Sequence, residues 1–318
     1  MAHELTASDH MVSGSNVTPW HGLGTIVAGQ LSAADALQAA RLDWQVTQED
    51  VFDGDMIRVP EYRLNRRSDN RAPLGIVPAT WTPIQNDRVL EIAEALVQLD
   101  GRDFPPVIET AGSLQGGKIV WALVKTGERC FAGSDHASYL LLSNGHDGRR
   151  ALKGTLTDTR VVCANTLRFA ETTQSQLFVT HGRGVEARVQ TAIETLGWAN
   201  DATRATFAIF ESLAAVSLSA DRAADYFRQL VKKPTEKMTP QATATVDHLM
   251  QLFQTGAGNE GRTVFDALNA VTDWVDHCRA FRDTGNVAER RFVFAALGGP
   301  GDQLKTQAFR DARQLCLA

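Results

Sequence analysis

Three His–Asp neighbours invite a reading as metal or acid–base chemistry: Asp135-His136, His146-Asp147 and Asp276-His277. Imidazole and carboxylate groups together ligate divalent cations. On that reading His146 and Asp147 are the candidate ligands of a metal-dependent nuclease or hydrolase. A plainer reading competes at each pair. His146 lies inside Asn144-Gly145-His146-Asp147-Gly148, a string rich in residues that serve tight turns. His277 falls on a helical pattern beside Trp274, where a hydrogen-bonded structural histidine is the simpler expectation. No other string carries enzyme chemistry. Gly116-Gly117-Lys118 ends in Ile119, so it is no phosphate-binding P-loop, and neither HExxH, GxSxG nor a dinucleotide fingerprint occurs. The four cysteines (Cys130, Cys163, Cys278, Cys316) lie far apart with no CxxC pair, which argues against a zinc ribbon. The sequence therefore predicts no cofactor.

The cations are more informative. Arg149, Arg150, Lys153, Arg160 and Arg168 fall close together, and Arg183 and Arg188 follow. A second group, Arg58, Arg63, Arg66, Arg67 and Arg71, precedes them. The planar guanidinium fork suits phosphate, and phosphate contacts dominate nucleic-acid affinity that does not depend on base sequence. Tyr62, Trp81, Trp121 and Phe169 are aromatic residues able to stack on unpaired bases. The nucleic-acid-binding set predicted here is Arg63, Arg66, Arg67, Arg149, Arg150, Lys153, Arg160 and Arg168. The competing reading is a solvated strand face whose charges are balanced by Asp69, Asp147 and Asp158.

Both cation groups sit on elements that read as strands and turns. Residues 44–52, 57–65 and 74–77 form an antiparallel meander, with Asp53-Gly54-Asp55 and Ser68-Asp69-Asn70 as turns. Residues 107–114 and 118–124 flank Gly116-Gly117 as a hairpin. Residues 139–143 and 152–156 read as two further strands, and 159–169 fits either a strand or a helix. In the latter case Asn165 caps a helix starting near Thr166. Two helices interrupt the strands: one from Leu31 to about Ala40, with Ser32 as cap and Asp35 three residues on, and one over 86–99. After about residue 190 the pattern turns helical, over 184–198, 202–218, 220–231, 240–253, 262–282, 288–297 and 304–317. The expected fold class is α+β: an antiparallel meander and hairpins packed on a helix, then a mainly helical C-terminal region. The expected organisation is a mobile segment 1–19, a core domain 20–190 and a helical region 191–318.

The whole chain is 318 residues, 43% hydrophobic and 22% charged, enough to bury a core and unlike a disordered protein. Its net charge is −5, so any nucleic-acid surface must be local. No apolar run is long enough to span a bilayer, and the N-terminal residues lack a signal-peptide pattern. A cytoplasmic protein with no membrane partner is expected.

Several strings taken together resemble the phage/plasmid-like protein family, a domain of unknown function (number nine-three-two). They are residues 18–25 (TPWHGLGT), 42–44 (LDW), 110–114 (TAGSL), 144–148 (NGHDG), 159–167 (TRVVCANTL) and 261–277. The resemblance covers about residues 15–310. It implies a gene carried by phages, prophages or plasmids, and a β-β-β-α arrangement similar to that of single-strand annealing recombinases. It supplies no catalytic residue. The function it implies is single-stranded DNA binding and strand annealing in recombination, without ATP, by a homo-oligomeric ring or filament in the cytoplasm of a bacterial host. A host-interaction protein, for instance an anti-defence factor, is a third expectation.

Overall fold

The computed structural model describes residues 10–14, 25–27, 29, 31–98, 106–131, 134–160, 165–168, 176–195, 197–231, 237–278 and 299–316. The fold class is α+β, as the sequence predicts. The strands are β1 (Met11–Ser13), β2 (Thr25–Ile26), β3 (Val46–Phe52), β4 (Arg58–Arg67), β5 (Pro73–Pro78), β6 (Val107–Leu114), β7 (Ile119–Phe131), β8 (Ser134–Gly145), β9 (Leu152–Arg160), β10 (Asn165–Arg168) and β11 (Gln176–Val179). The helices are α1 (Ala33–Ala39), α2 (Asn86–Gln98), α3 (Val185–Glu194), α4 (Trp198–Ala215), α5 (Ala220–Val231), α6 (Pro240–Thr255), α7 (Val264–Asp273) and α8 (Pro300–Leu315). A π-helical turn, Trp274–Cys278, continues α7.

The strands form two sheets. The larger has the order β10-β9-β8-β7-β6-β1-β2, with β11 also paired to β9; the smaller is the antiparallel meander β3-β4-β5. Two compact units divide the chain. The first holds Met1–Gly127, Tyr139–Leu156 and Glu171–Asn200, and the second holds Glu128–Ser138, Thr157–Ala170 and Asp201–Ala318.

In the first unit, α1 and α2 pack on β6. Helix α1 starts where Ser32 accepts from the Asp35 amide and Asp35 caps back, so the anticipated capping box forms. Helix α2 buries Val89, Leu90, Ile92, Ala93 and Leu96 along one stripe, as its helical spacing requires. The β6–β7 hairpin turns at Gln115, Gly116 and Gly117, all with positive φ. A side chain at Gly117 would place its Cβ 2.7 Å from the Trp44 ring, so both backbone angle and space demand glycine. In the second unit the core is aromatic. Phe210 and Phe265 lie 5.2 Å apart, Phe265 meets His136 at 5.2 Å, and Phe227 meets Phe253 at 6.3 Å.

One expectation is corrected. Residues Asn165–Arg168 form a strand paired antiparallel to β9, so Asn165 caps no helix. The helical pattern expected over 262–282 is present as α7 and the π turn that follows it, and 279–282 lie outside the described residues. The tract 288–297 and the strings 18–24 and 161–164 lie outside the described residues. Among the described residues no helix is long and apolar enough to cross a membrane.

Candidate nucleic-acid interface

The turn Asn144–Gly148 joins β8 to the segment leading into β9, and its histidine is wholly interior. His146 is completely buried. Asn86 donates through Nδ2 to the Leu42 and Trp44 carbonyls at 2.9 and 3.0 Å, so its Oδ1 must accept from His146 Nε2, 2.8 Å away. The His146 amide donates to the Lys118 carbonyl at 2.8 Å, and its own carbonyl accepts from Asn65 Nδ2 at 2.8 Å. Asn144 Nδ2 donates to the Ile84 carbonyl at 3.0 Å. One turn thereby ties together α2, β4 and the β6–β7 hairpin. Burial, with nearby His181 second, pushes the His146 imidazole from 6.5 down to about 3. A neutral, sealed imidazole with Nε2 engaged is a structural group. Asp147 accepts from the Arg149 amide at 3.0 Å, which is turn chemistry. Asp135-His136 and Asp276-His277 belong to the second unit, whereas His146-Asp147 belongs to the first. Among the described residues no group of three or more His, Cys, Asp or Glu side chains is placed to hold a metal ion.

The predicted cations separate into two classes. On the three-stranded sheet every described arginine is paired with a carboxylate. Asp50 takes Arg58 at 3.1 Å and Arg63 at 3.3 Å; Glu49 takes Arg66 at 2.7 Å and also Arg71. Arg67 is 3% exposed, grips Asp69 with Nε and Nη2 at 3.0 and 2.7 Å, and stacks 4.3 Å from the Trp44 ring. Strand alternation also sends Arg63 and Arg67 to the face opposite Arg66. Arg63, Arg66 and Arg67 therefore do not line a common groove, and Arg67 is a wall of the fold. Their alternation along β4 was already visible in the sequence; the carboxylate partners of Arg63 and Arg66, up to 17 residues away, were not, whereas Asp69, which holds Arg67, was among the balancing acids named from the sequence.

The second class makes no ion pair among the described residues, although the Asp147 carboxylate lies in the same turn. Arg149 and Lys153 are exposed and Arg150 is half-buried. Lys153 pairs across the strands with Phe178 of β11, and its Nζ lies 5.6 Å from the centre of that ring. Phe178 is 57% exposed, an unusual place for a phenylalanine. Beyond β11 the loop Thr180–Gly184 returns beside the same turn. His181 Nδ1 donates to the Thr82 carbonyl at 3.0 Å and stacks 4.2 Å from Trp81, and its ring lies against the Arg150 backbone. Burial lowers the His181 imidazole, against those backbone hydrogen bonds, so it adds no charge at neutral pH. Arg188 latches the loop by donating to the Arg183 and Thr180 carbonyls, each at 2.8 Å. Arg183 remains exposed, with no ion pair among the described residues. On the other side, Gly148 (φ 80°) brings the turn against Val77 of β5, next to exposed Ile76.

Of the predicted aromatic platforms, Trp81 and Trp121 are buried, Tyr62 is exposed, and Phe169 lies outside the described residues. Phe178 is the ring that sequence reasoning missed. Its signal was faint: one aromatic in a four-residue strand. Arg160 and Arg168 lie on the paired strands β9 and β10, and their side chains lie outside the described residues.

Fold and surface thus define an α+β protein with a local strip of free cations beside an exposed ring. The chain belongs to the family described as Domain of unknown function (DUF932), whose model matches residues 73–294. No curated protein and no solved structure matches it. The matched span contains the cation strip and leaves out β3 and β4.

Proposed function

We propose that this chain binds single-stranded DNA along the Arg149–Arg150–Lys153 and Phe178–Arg183 segments and promotes pairing of complementary strands without ATP. The observation that carries the reading is the juxtaposition of four cations without carboxylate partners among the described residues and an exposed phenylalanine under one of them. Phosphates would sit on the guanidinium and ammonium groups, and a base would stack on Phe178. Holding the backbone leaves other base edges open to a second strand. The sequence has no nucleotide-binding loop, which agrees with pairing that consumes no ATP. The resemblance read from the sequence implies a gene of phages or plasmids and an arrangement similar to single-strand annealing recombinases, and that analogy of fold is in line with this reading. A few contacts per chain give modest affinity, which several copies along one strand would multiply.

The test is fluorescence anisotropy of a labelled oligothymidylate against the wild type and the Arg149→Ala/Arg150→Ala/Lys153→Ala variant over a salt series. The log–log salt slope should flatten by about 2, since each lost single-strand phosphate contact removes about 0.7. Pairing of complementary oligonucleotides should slow in parallel. An unchanged slope in a folded triple variant contradicts the assignment.

A further inference from the structure

A cavity of about 430 Å³ lies in the first unit, where the C-terminal end of α1 meets the β4–β5 turn. Its size is within the range of small-molecule sites. Gln38, Arg41 and Asp43 line it from the α1 end, Arg67, Asp69 and Asn70 from the end of β4 and its turn, and His10 from just ahead of β1. Each of these side chains is polar or charged, so the cavity suits a hydrated ligand and not an apolar one. All of them precede the span that the family model matches, and none belongs to the strip proposed to hold DNA.

Arg41 is an unusual occupant of its position. The Leu42 amide donates to the Leu37 carbonyl and the Arg41 amide to the Gln38 carbonyl, the paired bonds that close a helix through a left-handed residue. Arg41 is that residue, with φ 50°, where glycine would carry no strain. What the arginine adds is a guanidinium at the cavity. Its Nη1 lies 3.1 Å from His10 Nε2. Arginine only donates, so the imidazole accepts and is neutral while that bond stands.

The charges of the wall do not all cancel within it. Arg67 and Asp69 neutralise each other. Arg41 and Asp43 make no ion pair among the described residues, with each other or with any other group, and the Asp43 carboxylate accepts no hydrogen bond there. The side-chain amide of Gln38 makes none either, and Asn70 uses only its Oδ1, which accepts from the Ala72 amide at 2.9 Å. The cavity therefore presents one open guanidinium, one open carboxylate and two side-chain amides with unused donors. A simple anion would meet Asp43 beside Arg41, and a simple cation would meet Arg41 beside Asp43. A ligand that carries both charges on neighbouring groups satisfies both residues.

We propose that this cavity binds a free α-amino acid with a polar side chain. Arg41 takes the carboxylate, Asp43 takes the ammonium group, and Gln38 and Asn70 meet the side chain. The left-handed backbone at Arg41 places a carboxylate-binding fork where folding alone would favour glycine. This site goes beyond the DNA reading, and neither depends on the other.

Isothermal titration calorimetry of the full-length chain with L-glutamine and with L-serine tests it, with acetate, inorganic phosphate and methylammonium as comparators that carry one sign of charge. The wild type should bind at least one of the two amino acids saturably, and each comparator more weakly. Arg41→Gly and Asp43→Asn should each weaken that binding by about tenfold, the loss expected for one charge-assisted contact. The glycine variant also separates binding from folding: with the left-handed strain removed, its thermal midpoint without ligand should equal or exceed that of the wild type. A wild type that binds neither amino acid overturns the proposal. So does acetate or phosphate bound as tightly as the amino acid, which would mark a plain anion site, or an affinity unchanged in either folded variant.

Discussion

His146 shows how a residue type suited to chemistry can instead serve architecture. Its imidazole is enclosed, its Nε2 is engaged by Asn86, and its backbone joins β4 to the β6–β7 hairpin. Burial holds it neutral to about pH 3, whereas an unfolded histidine titrates near 6.5. Below pH 6.5 the unfolded chain therefore binds a proton that the native chain refuses. Stability is fully present above 6.5 and falls as the pH drops toward 3, by about 1.4 kcal/mol per pH unit from this group. Urea denaturation of wild type and His146→Gln between pH 7 and 4 measures it. The wild type should lose more stability over that range than the variant, and equal losses would show that the imidazole is not sealed. Arg67 teaches the same lesson among the cations: its guanidinium lies on Trp44 and is held by Asp69, so its charge stays inside the fold.

The hairpin of β6 and β7 was legible at the scale of elements, because Gly116-Gly117 stands between two apolar runs. The structure adds the reason for the second glycine: Gly117 has φ 92° and abuts the Trp44 ring. Gly117→Ala should destabilise the first unit by more than about 1 kcal/mol, from left-handed strain alone, with ring displacement adding to it. Thermal unfolding followed by tryptophan fluorescence reads the loss; an unchanged midpoint would mean that the turn adapts freely. Helices α1, α2, α5 and α6 were likewise readable, since caps and apolar stripes are local signals. Strands β1, β10 and β11 were not. Three or four residues carry too little periodicity, and partners distant in the sequence give them their structure. The candidate interface divided along the same line. Arg149, Arg150 and Lys153 were legible as a local cluster. The fate of Arg63 and Arg66 was not, because their neutralising carboxylates belong to β3; Asp69, which holds Arg67, was among the balancing acids the sequence suggested. Phe178 was invisible until β11 laid it beside Lys153.

For the molecule as a whole, a net charge of −5 makes long-range attraction to a polyanion unfavourable, so the proposed binding would have to come from a strip whose cations make no ion pair. Only the segments 149–153 and 178–183 meet that condition together with an exposed ring among the described residues. Photocrosslinking of a bromouracil-substituted single-stranded oligonucleotide, followed by peptide mapping, locates the contact directly. Crosslinks should concentrate in peptides carrying Arg149–Lys153 and Phe178. Crosslinks confined to β3 and β4 or to helices α4 to α8, or none at an oligonucleotide concentration that saturates binding, would contradict the account.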